Sequence, residues 1–248
     1  MIKVLVNGAN GRMGQEVIKV LDSYDDMILI GGFDKEDSHL STFKMYTDIN
    51  QIDETPDVII DFSIPAATLN ILEYAKSENI PIVIATTGFS DDDMNKVKDY
   101  SKYIPIFKSA NMSFDINLMA KLVADIAKKL SNNDVEIIET HHKNKIDSPS
   151  GTALLLADSI NNARNNSMEY VFDRHSKKEK RKGNEIGFSS IRGGNIVGEH
   201  AVQFFSEYET FEIKHTSYSR SVFADGAIKA ARFIISQSNG MYDMNNMM

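Results

Sequence analysis

The sequence predicts an α/β protein that contains a doubly wound parallel sheet and a second, smaller α+β domain. Short, continuously apolar segments alternate with helix-like segments as far as residue 107, which is typical of a parallel sheet covered on both faces. A glycine-rich turn joins the first strand to the first helix. Beyond residue 112 the alternation ends, and strand-like segments follow one another across glycine turns, which favours a separate α+β domain.

Composition excludes several classes of protein. The 248 residues fit one large or two small domains, and 42% hydrophobic with 25% charged residues is ordinary for a soluble globular chain. The net charge of −8 argues against a nucleic-acid partner. The lack of cysteine excludes disulfides and thiol nucleophiles. No apolar run approaches the ~20 residues of a membrane helix, and we expect a cytoplasmic protein without a membrane partner or a metal site.

The predicted first domain alternates strictly between strands and helices. Its strands are residues 2–6, 27–33, 58–62, 81–85 and 104–107, and its helices begin near Arg12 or cover residues 65–77 and 90–101. Ligands in such sheets bind at the carboxyl ends of strands. Residues 61–63, 85–88 and 109–112 lie at such ends, and we expect them to border one crevice.

The glycine turn at residues 8–14 lies between the first strand and the first helix. Glycines at these places permit a tight turn and close approach of the backbone to a pyrophosphate. Asp34 follows the second strand, about 20 residues beyond Gly14, where an acid accepts hydrogen bonds from an adenosine ribose. An ordinary strand-to-helix turn would explain the glycines alone. Together with the acid, the pattern favours a Rossmann-type dinucleotide-binding domain.

The second half of the chain contains less regular elements. We predict a core helix at residues 114–130, strands at 135–140, 185–205 with glycine turns, and 210–215, helices at 152–162 and 221–236, a solvated loop at 173–184, and a frayed polar tail from residue 239.

Residues 139–152 concentrate groups that carry protons and charge. Two imidazoles, two ammonium groups and a carboxylate fall between His141 and Asp147. Ser150 is predicted to cap the following helix, whose free backbone N–H groups favour an anion. A solvated loop followed by an ordinary cap is the alternative. The pattern indicates a site that polarises and protonates a carboxylate substrate.

These motifs resemble the 4-hydroxy-tetrahydrodipicolinate reductase (dihydrodipicolinate reductase) family over nearly the whole chain. The resemblance is carried by residues 8–14, 86–88, 110–113, 139–152, 185–194 and 219–227. The spacing of His-His, Lys, Asp and Pro-Ser-Gly-Thr in residues 141–152 is the most specific part. Departures from the family pattern at Ala85, Met112, Asp115 and Ser148 remove no reacting group.

The resemblance implies a fold, a reaction and a set of residues. It implies a Rossmann-type domain at residues 1–111 and 217–248 and a substrate-binding and oligomerisation domain at 112–216. The implied reaction is NAD(P)H-dependent reduction of a small cyclic dicarboxylate, 4-hydroxy-tetrahydrodipicolinate, in diaminopimelate and lysine biosynthesis, by a homotetramer. His141 matches the proton donor and Lys145 a second proton donor, and the substrate contacts match His142, Gly151 and Thr152. The cofactor contacts match Gly8, Ala9, Asn10, Gly11, Arg12, Met13, Asp34, Ala85, Thr86, Thr87, Ser109, Ala110, Asn111 and Met112.

Charge at the ribose position leaves both nicotinamide cofactors open. Asp34 should repel the 2′-phosphate of NADPH, whereas Lys35 and Arg12 should attract it. We therefore expect both NADH and NADPH to serve.

Two other functions fit parts of the pattern. An amino-acid dehydrogenase on the same domain plan would act on aspartate or homoserine, and the 141–152 segment argues against it. A non-catalytic dinucleotide-binding regulator would bind NADH without turnover, and it would have no need of His141 and Lys145.

Overall fold

The computed structural model describes residues 1–37 and 43–248, and the chain divides into two compact units. Unit 1 comprises Met1–Phe114 and Arg220–Met248, and unit 2 comprises Asp115–Ser219. The strands are β1 Ile2–Asn7, β2 Met27–Phe33, β3 Met45–Tyr46, β4 Val58–Asp61, β5 Ile82–Ile84, β6 Pro105–Lys108, β7 Asp134–His141, β8 Glu169–Val171, β9 Glu185–Arg192, β10 Gly198–Phe205, β11 Thr210–Ser217 and β12 Gly240–Tyr242. The α-helices are α1 Arg12–Leu21, α2 Pro65–Ser77, α3 Asp91–Tyr100, α4 Phe114–Lys129, α5 Gly151–Ala163 and α6 Ser221–Ile234, and short 3₁₀ helices cover Ile49–Gln51 and Met244–Met247.

The sheet of unit 1 is parallel throughout, in the order β12-β6-β5-β4-β1-β2-β3. Val4, Leu5 and Val6 of β1 are all fully buried, because helices cover the sheet on both faces. The chain proceeds outward from β1 to β2 on one side and then returns to place β4 on the other. The crevice beyond the carboxyl ends of β1 and β4 is therefore the switch point at which ligands bind. The predicted Rossmann-type architecture is confirmed.

The last helix returns to unit 1, as the resemblance implied. α6 packs against α1 and against β4, β5 and β6. A Cβ on Gly226 would lie only 1.7 Å from the carbonyl oxygen of Met112, so only glycine permits this close approach. Tyr24 donates a hydrogen bond to Asp225 across 2.6 Å. Residues from the two ends of the chain thus share one hydrophobic core.

The prediction of a frayed tail is wrong. β12 pairs in parallel with β6, with Met241 opposite Ile106 and Tyr242 opposite Phe107. The 3₁₀ helix that follows buries Met244, which is 1% exposed. The polar sequence carries no signal for this strand. β12 is stabilised by pairing with backbone groups of β6 that would otherwise be left unpaired.

Unit 2 is built on a five-stranded mixed sheet in the order β11-β10-β7-β9-β8. β10 is antiparallel to β7 and β11, whereas β9 is parallel to β7 and β8. Only part of this sheet is therefore antiparallel, although its strand-like segments follow one another across glycine turns. Buried and half-buried residues alternate along β7, and Val135, Ile137, Glu139 and His141 all point to the face that α4 and α5 cover.

The segment at residues 173–184 is a loop, but the prediction that it is merely solvated is wrong. Arg174 donates to Glu185 across 2.8 Å, and the side chain of Glu185 is fully buried. Arg181 pairs with Glu136 and donates to the carbonyl of Val135 across 3.0 Å. Two arginines thus hold the loop against the sheet.

Among the residues that the structure describes, no helix is long and apolar enough to cross a bilayer.

Candidate active site

The glycine turn of unit 1 leaves no room for side chains. Gly8 has φ = +78°, and a Cβ there would lie 2.5 Å from the carbonyl oxygen of Phe62. A Cβ on Gly14 would lie 2.2 Å from the carbonyl oxygen of Gly8, so glycine permits α1 to start directly against the turn. The turn therefore presents bare backbone to the crevice.

The first turn of α1 is open to an anion. Its N-cap is Gly11, which makes no side-chain capping bond. The N–H groups at the start of a helix lack partners within the helix, and they carry the positive end of its dipole. The arrangement suits a pyrophosphate group.

Asp34 is fixed beside the turn by backbone hydrogen bonds. Asn10 N donates to Oδ2 across 2.9 Å, and Lys35 N donates to Oδ1 across 2.8 Å. Each carboxylate oxygen retains a lone pair that a ribose hydroxyl can use. The Lys35 ammonium lies 3.5 Å from Glu36, and both side chains are largely exposed.

A cavity of about 740 Å³ follows the crevice. It is lined by Asn7, Gly8, Asn10, Gly11, Phe33, Asp34, Lys35, Thr47, Phe62, Ser63, Ile64, Ala67 and Asn70. Five of the predicted cofactor residues line it: Gly8, Asn10, Gly11, Asp34 and Lys35. These features of unit 1 fit a dinucleotide.

The other predicted cofactor residues differ in what they can offer a ligand. The side chains of Ala9, Thr86 and Met112 are buried, and Ala9 and Met112 belong to the core of unit 1, which leaves their backbone atoms for a ligand. Arg12, Thr87 and Ala110 are exposed, whereas Met13, Ala85, Ser109 and Asn111 are half-buried.

Asp61 organises the strand ends around this crevice. Its side chain is fully buried and accepts hydrogen bonds from Asn7 (2.7 Å), Ser63 (2.5 Å), Thr68 (2.6 Å) and Thr86 (2.9 Å). Burial raises the pKa of Asp61, although these hydrogen bonds oppose the rise. One carboxyl group thus connects the ends of β1, β4 and β5. The sequence signal was a charged residue closing a continuously apolar strand.

The predicted proton donor of unit 2 lies at the end of β7. His141 Nδ1 lies 2.5 Å from Oε2 of Glu139, two residues earlier on the same face of the strand. Arg192 donates two hydrogen bonds to that carboxylate, with lengths of 2.8 and 2.7 Å. Ser150 N donates to the same carboxylate across 3.2 Å. Glu139 and His141 are 1% and 7% exposed, so the cluster is almost shielded from solvent.

The surroundings of this pair shift both pKa values downward. Burial alone would raise the pKa of Glu139, but hydrogen bonds from Arg192, Ser190 and His141 lower it to about 2. Burial lowers the pKa of His141, while the hydrogen bond and charge of Glu139 oppose that change. Glu139 is therefore ionised at neutral pH.

A second histidine completes the cluster. The rings of His200 and His141 meet edge to face with their centroids 5.1 Å apart. His200 Nε2 lies 2.9 Å from Ser150 Oγ, which accepts from Ala153 N and confirms the predicted helix cap. Burial, followed by the charge of His141, lowers the pKa of His200 to about 3. His200 is therefore neutral and packs without adding charge.

Lys145 faces a carboxylate of its own chain. Its Nζ lies 2.8 Å from Oδ1 of Asp147. The hydrogen bond from Lys145 lowers the pKa of Asp147, and the backbone N–H of Gly151 contributes to this shift. The cation and the helix start that were predicted to bind a substrate carboxylate thus converge on Asp147. His142 and Thr152 are half-buried, and Gly151 is exposed.

Glu139, Arg192 and His200 are functional residues of this cluster for which the sequence predicted no individual role. The signal for Glu139 was its spacing: residues two apart on a strand share a face. Arg192 had no local signal because its partner lies 53 positions away. Among the described residues, no group of three or more His, Cys, Asp or Glu side chains is arranged to hold a metal ion.

Two family models together match almost the whole length of this chain. The family model described as dihydrodipicolinate reductase, N-terminus, matches residues 2–112, and the corresponding C-terminus model matches residues 115–248.

Two curated relatives are named 4-hydroxy-tetrahydrodipicolinate reductase. The relative from Caldanaerobacter subterraneus subsp. tengcongensis is 45% identical over 247 residues, which is 100% of this chain and 98% of the relative. The relative from Clostridium tetani is 43% identical over 251 residues, at 100% and 97% coverage. A solved structure described as dipicolinate-bound dihydrodipicolinate reductase from Paenisporosarcina sp. TG-14 has the same fold, with a TM-score of 0.84, 24% identity and full coverage of both chains.

The lowered pKa of Glu139 predicts how the stability of the fold depends on pH. The pKa of Glu139 is about 2 in the folded chain and 4.5 ordinarily, so its ionised form stabilises the fold above pH 4.5, and this contribution disappears as the pH falls toward 2. Urea unfolding of wild type and Glu139→Gln at a series of pH values should show a difference in unfolding free energy of about 3 kcal/mol at neutral pH that vanishes in acid. The control Glu136→Gln, on the opposite face of β7, should retain the Glu139 contribution. Parallel wild-type and Glu139→Gln curves would contradict the assignment.

Proposed function

This chain belongs to the dihydrodipicolinate reductase family, and on that premise we propose that it reduces 4-hydroxy-tetrahydrodipicolinate to tetrahydrodipicolinate with NADH or NADPH. The reaction belongs to the diaminopimelate route of lysine biosynthesis. The observation that carries the proposal is a shielded histidine held by an ionised carboxylate at a strand end, in a chain that also has a dinucleotide crevice. Unit 1 serves the cofactor, and unit 2 serves the substrate and the assembly.

The chemistry needs a hydride and a proton. The nicotinamide supplies the hydride when bound. Reduction of a carbon conjugated to C=N develops negative charge, which a positioned acid must neutralise. His141 gives that proton, and solvent recharges it. Lys145 is the second cation at this site and the second proton donor.

The substrate is a dicarboxylate, although the chain as a whole is acidic. Lys145, His142 and the backbone N–H groups of Gly151 and Thr152 hold one carboxylate of the substrate. Support comes from Asp147, a carboxylate of the chain that already bonds Lys145. Local donors of this kind bind anions through short charge-assisted hydrogen bonds, whatever the net charge of the chain.

We place the protein in the cytoplasm because a biosynthetic reductase draws on the cell's internal pool of nicotinamide cofactor. Cell fractionation followed by detection of the chain tests the location, and recovery with the membranes or the medium would contradict it.

Turnover tests the function and the role of His141 together. In a coupled assay fed by pyruvate and aspartate semialdehyde through the preceding synthase, the wild type should oxidise NADH or NADPH. His141→Gln should lower kcat by ~10²-fold, the effect of losing a general acid, with little change in cofactor binding. The control His175→Gln, in the 173–184 loop, should match wild type.

Three results would count against this proposal or a part of it. Reduction of NAD⁺ by aspartate or homoserine, with no oxidation of NADH by the coupled substrate, would indicate the dehydrogenase alternative. Cofactor binding without any turnover would indicate a regulator. Near-full kcat in His141→Gln would remove His141 from the mechanism.

The substrate site is tested with dipicolinate, a planar dicarboxylate. Lys145→Ala should lose a charge-assisted hydrogen bond, so dipicolinate should bind more weakly by ~1.5–3 kcal/mol in isothermal titration calorimetry. Lys143→Ala, an exposed lysine in the same loop, is the matched control and should bind as wild type does. Equal affinity in Lys145→Ala and wild type would contradict this placement.

Cofactor choice is tested by kinetics with both nicotinamides. Asp34 favours NADH, Lys35 and Arg12 favour NADPH, and an exposed pair contributes only ~0–1 kcal/mol, so the two kcat/KM values should lie within about tenfold. Lys35→Ala should shift preference toward NADH, whereas Lys19→Ala, near the other end of α1, should not. Added salt should weaken NADPH more than NADH. A preference above about a hundredfold for either cofactor would show that these charges do not reach the ribose.

The face of the unit 2 sheet opposite α4 and α5 supports a homotetramer. α4 and α5 cover one face, whereas Ile138, Ala201 and Ile191 lie on the other, and Ile191 is 51% exposed. Burying such apolar area against other copies is favourable. Sedimentation velocity should give a four-chain mass that Ile191→Lys lowers and Ile28→Lys, an exposed control in β2, does not. A monomeric wild type would contradict the proposal.

A further inference from the structure

We infer that Glu139, held by Arg192, is a positioning residue for His141: it keeps a proton on Nδ1, so that Nε2 is the nitrogen that gives a proton to the substrate. The inference rests on the proposed role of His141 and assigns new roles to Glu139 and Arg192.

The hydrogen bond between the two side chains sets the tautomer. Glu139 Oε2 lies 2.5 Å from His141 Nδ1, and an ionised carboxylate only accepts hydrogen bonds. Nδ1 therefore carries hydrogen in both the charged and the neutral imidazole. Nε2 alone gains and loses a proton during turnover.

The backbone around His141 leaves space on the Nε2 side. A Cβ on Gly198 would lie 3.1 Å from His141 Nε2. This separation is tighter than ordinary van der Waals contact, so glycine at the start of β10 keeps this side of the ring free of a neighbouring methyl group.

Glu139 itself has little freedom to turn. Arg192 holds both oxygens, and the backbone N–H of Ser150 adds a third bond. Arg192 is fixed in turn by the carbonyls of Asp147 and Ile191, at 2.7 and 2.8 Å. A carboxylate with this many fixed donors orients the ring that it binds.

Side chains from several elements surround the imidazole of His141. Glu139 comes from β7, Arg192 from β9, neutral His200 from β10 and Lys145 from the loop after β7. Burial, Lys145 and Arg192 lower the pKa of His141, and Glu139 is the group that raises it. Glu139 therefore sustains the protonated form that the reaction consumes.

The proton balance is simple. Protonated His141 releases the Nε2 proton to the substrate and becomes a neutral imidazole with Nδ1–H still bonded to Glu139. Glu139 stays ionised throughout, and a proton from solvent restores Nε2–H before the next turnover.

Kinetics of Glu139→Gln provide the first test. The charge is lost, so the alkaline limb of the kcat–pH profile should move to lower pH by about one unit, with a loss of kcat of about tenfold at neutral pH. Activity should recover toward wild type in mild acid, and KM for NADH should remain unchanged. Glu136→Gln should keep the wild-type profile. A uniform loss at every pH, or no shift of the limb, would show a merely structural role and overturn the inference.

Tautomer measurement gives a readout that needs no turnover, so it separates this inference from the proposed function. With ¹⁵N-labelled histidine, neutral His141 of the wild type should show a protonated Nδ1 and an unprotonated Nε2. Glu139→Asp keeps the charge and shortens the reach. It should retain more of that tautomer than Glu139→Gln, even if both variants are less stable than wild type. A protonated Nε2 in neutral wild-type His141 would overturn the inference whether or not the enzyme turns over.

Discussion

Burying a carboxyl group is expensive unless its oxygens receive hydrogen bonds, and each unit of this protein is organised around one such group. In unit 1, four side-chain donors converge on Asp61 where three strands end. In unit 2, Arg192, His141 and the backbone of Ser150 converge on Glu139 at the end of β7. The need to satisfy these oxygens fixes the residues that border each site.

The same constraint explains how an acidic chain can serve an anionic substrate. Glu139 neutralises Arg192, and Lys145 pairs with Asp147 in the segment before α5. The start of α5 adds backbone donors rather than further charged side chains. In the proposed function, recognition of a carboxylate therefore depends on a few fixed donors, and the excess negative charge on the surface matters little at such short range.

Much of the fold followed from local sequence, because local patterns determine buried strands and amphipathic helices. β2 and α2 were predicted to the residue, since continuous apolar strands and a proline at the first turn of a helix are strong signals. The two-residue strand β3 and the three-residue strand β8 were missed because so few residues carry no periodicity.

The residues of the candidate sites also divide into those that local sequence predicted and those that depended on strand pairing. The cap at Ser150 was readable because neighbours in sequence form it, and the glycine turn and Asp34 were readable because they follow a known spacing. The roles of Arg192 and His200 depended on strand pairing: β9 places Arg192 opposite His141, and β10 pairs with β7 from the other side. The strand β12 was unpredictable for the same reason, since its partner was an edge far away in sequence.

The joint contribution of both chain ends to unit 1 has a consequence for synthesis. Unit 2 is continuous, so all its strands are available once Ser219 has left the ribosome. The first segment of unit 1, Met1–Phe114, is made earlier but waits for α6 and β12, and its apolar contact surface for α6 stays exposed meanwhile. At ordinary rates of translation the wait is on the order of ten seconds. Chaperones therefore have most to protect during the interval in which residues 1–114 have been synthesised and α6 has not.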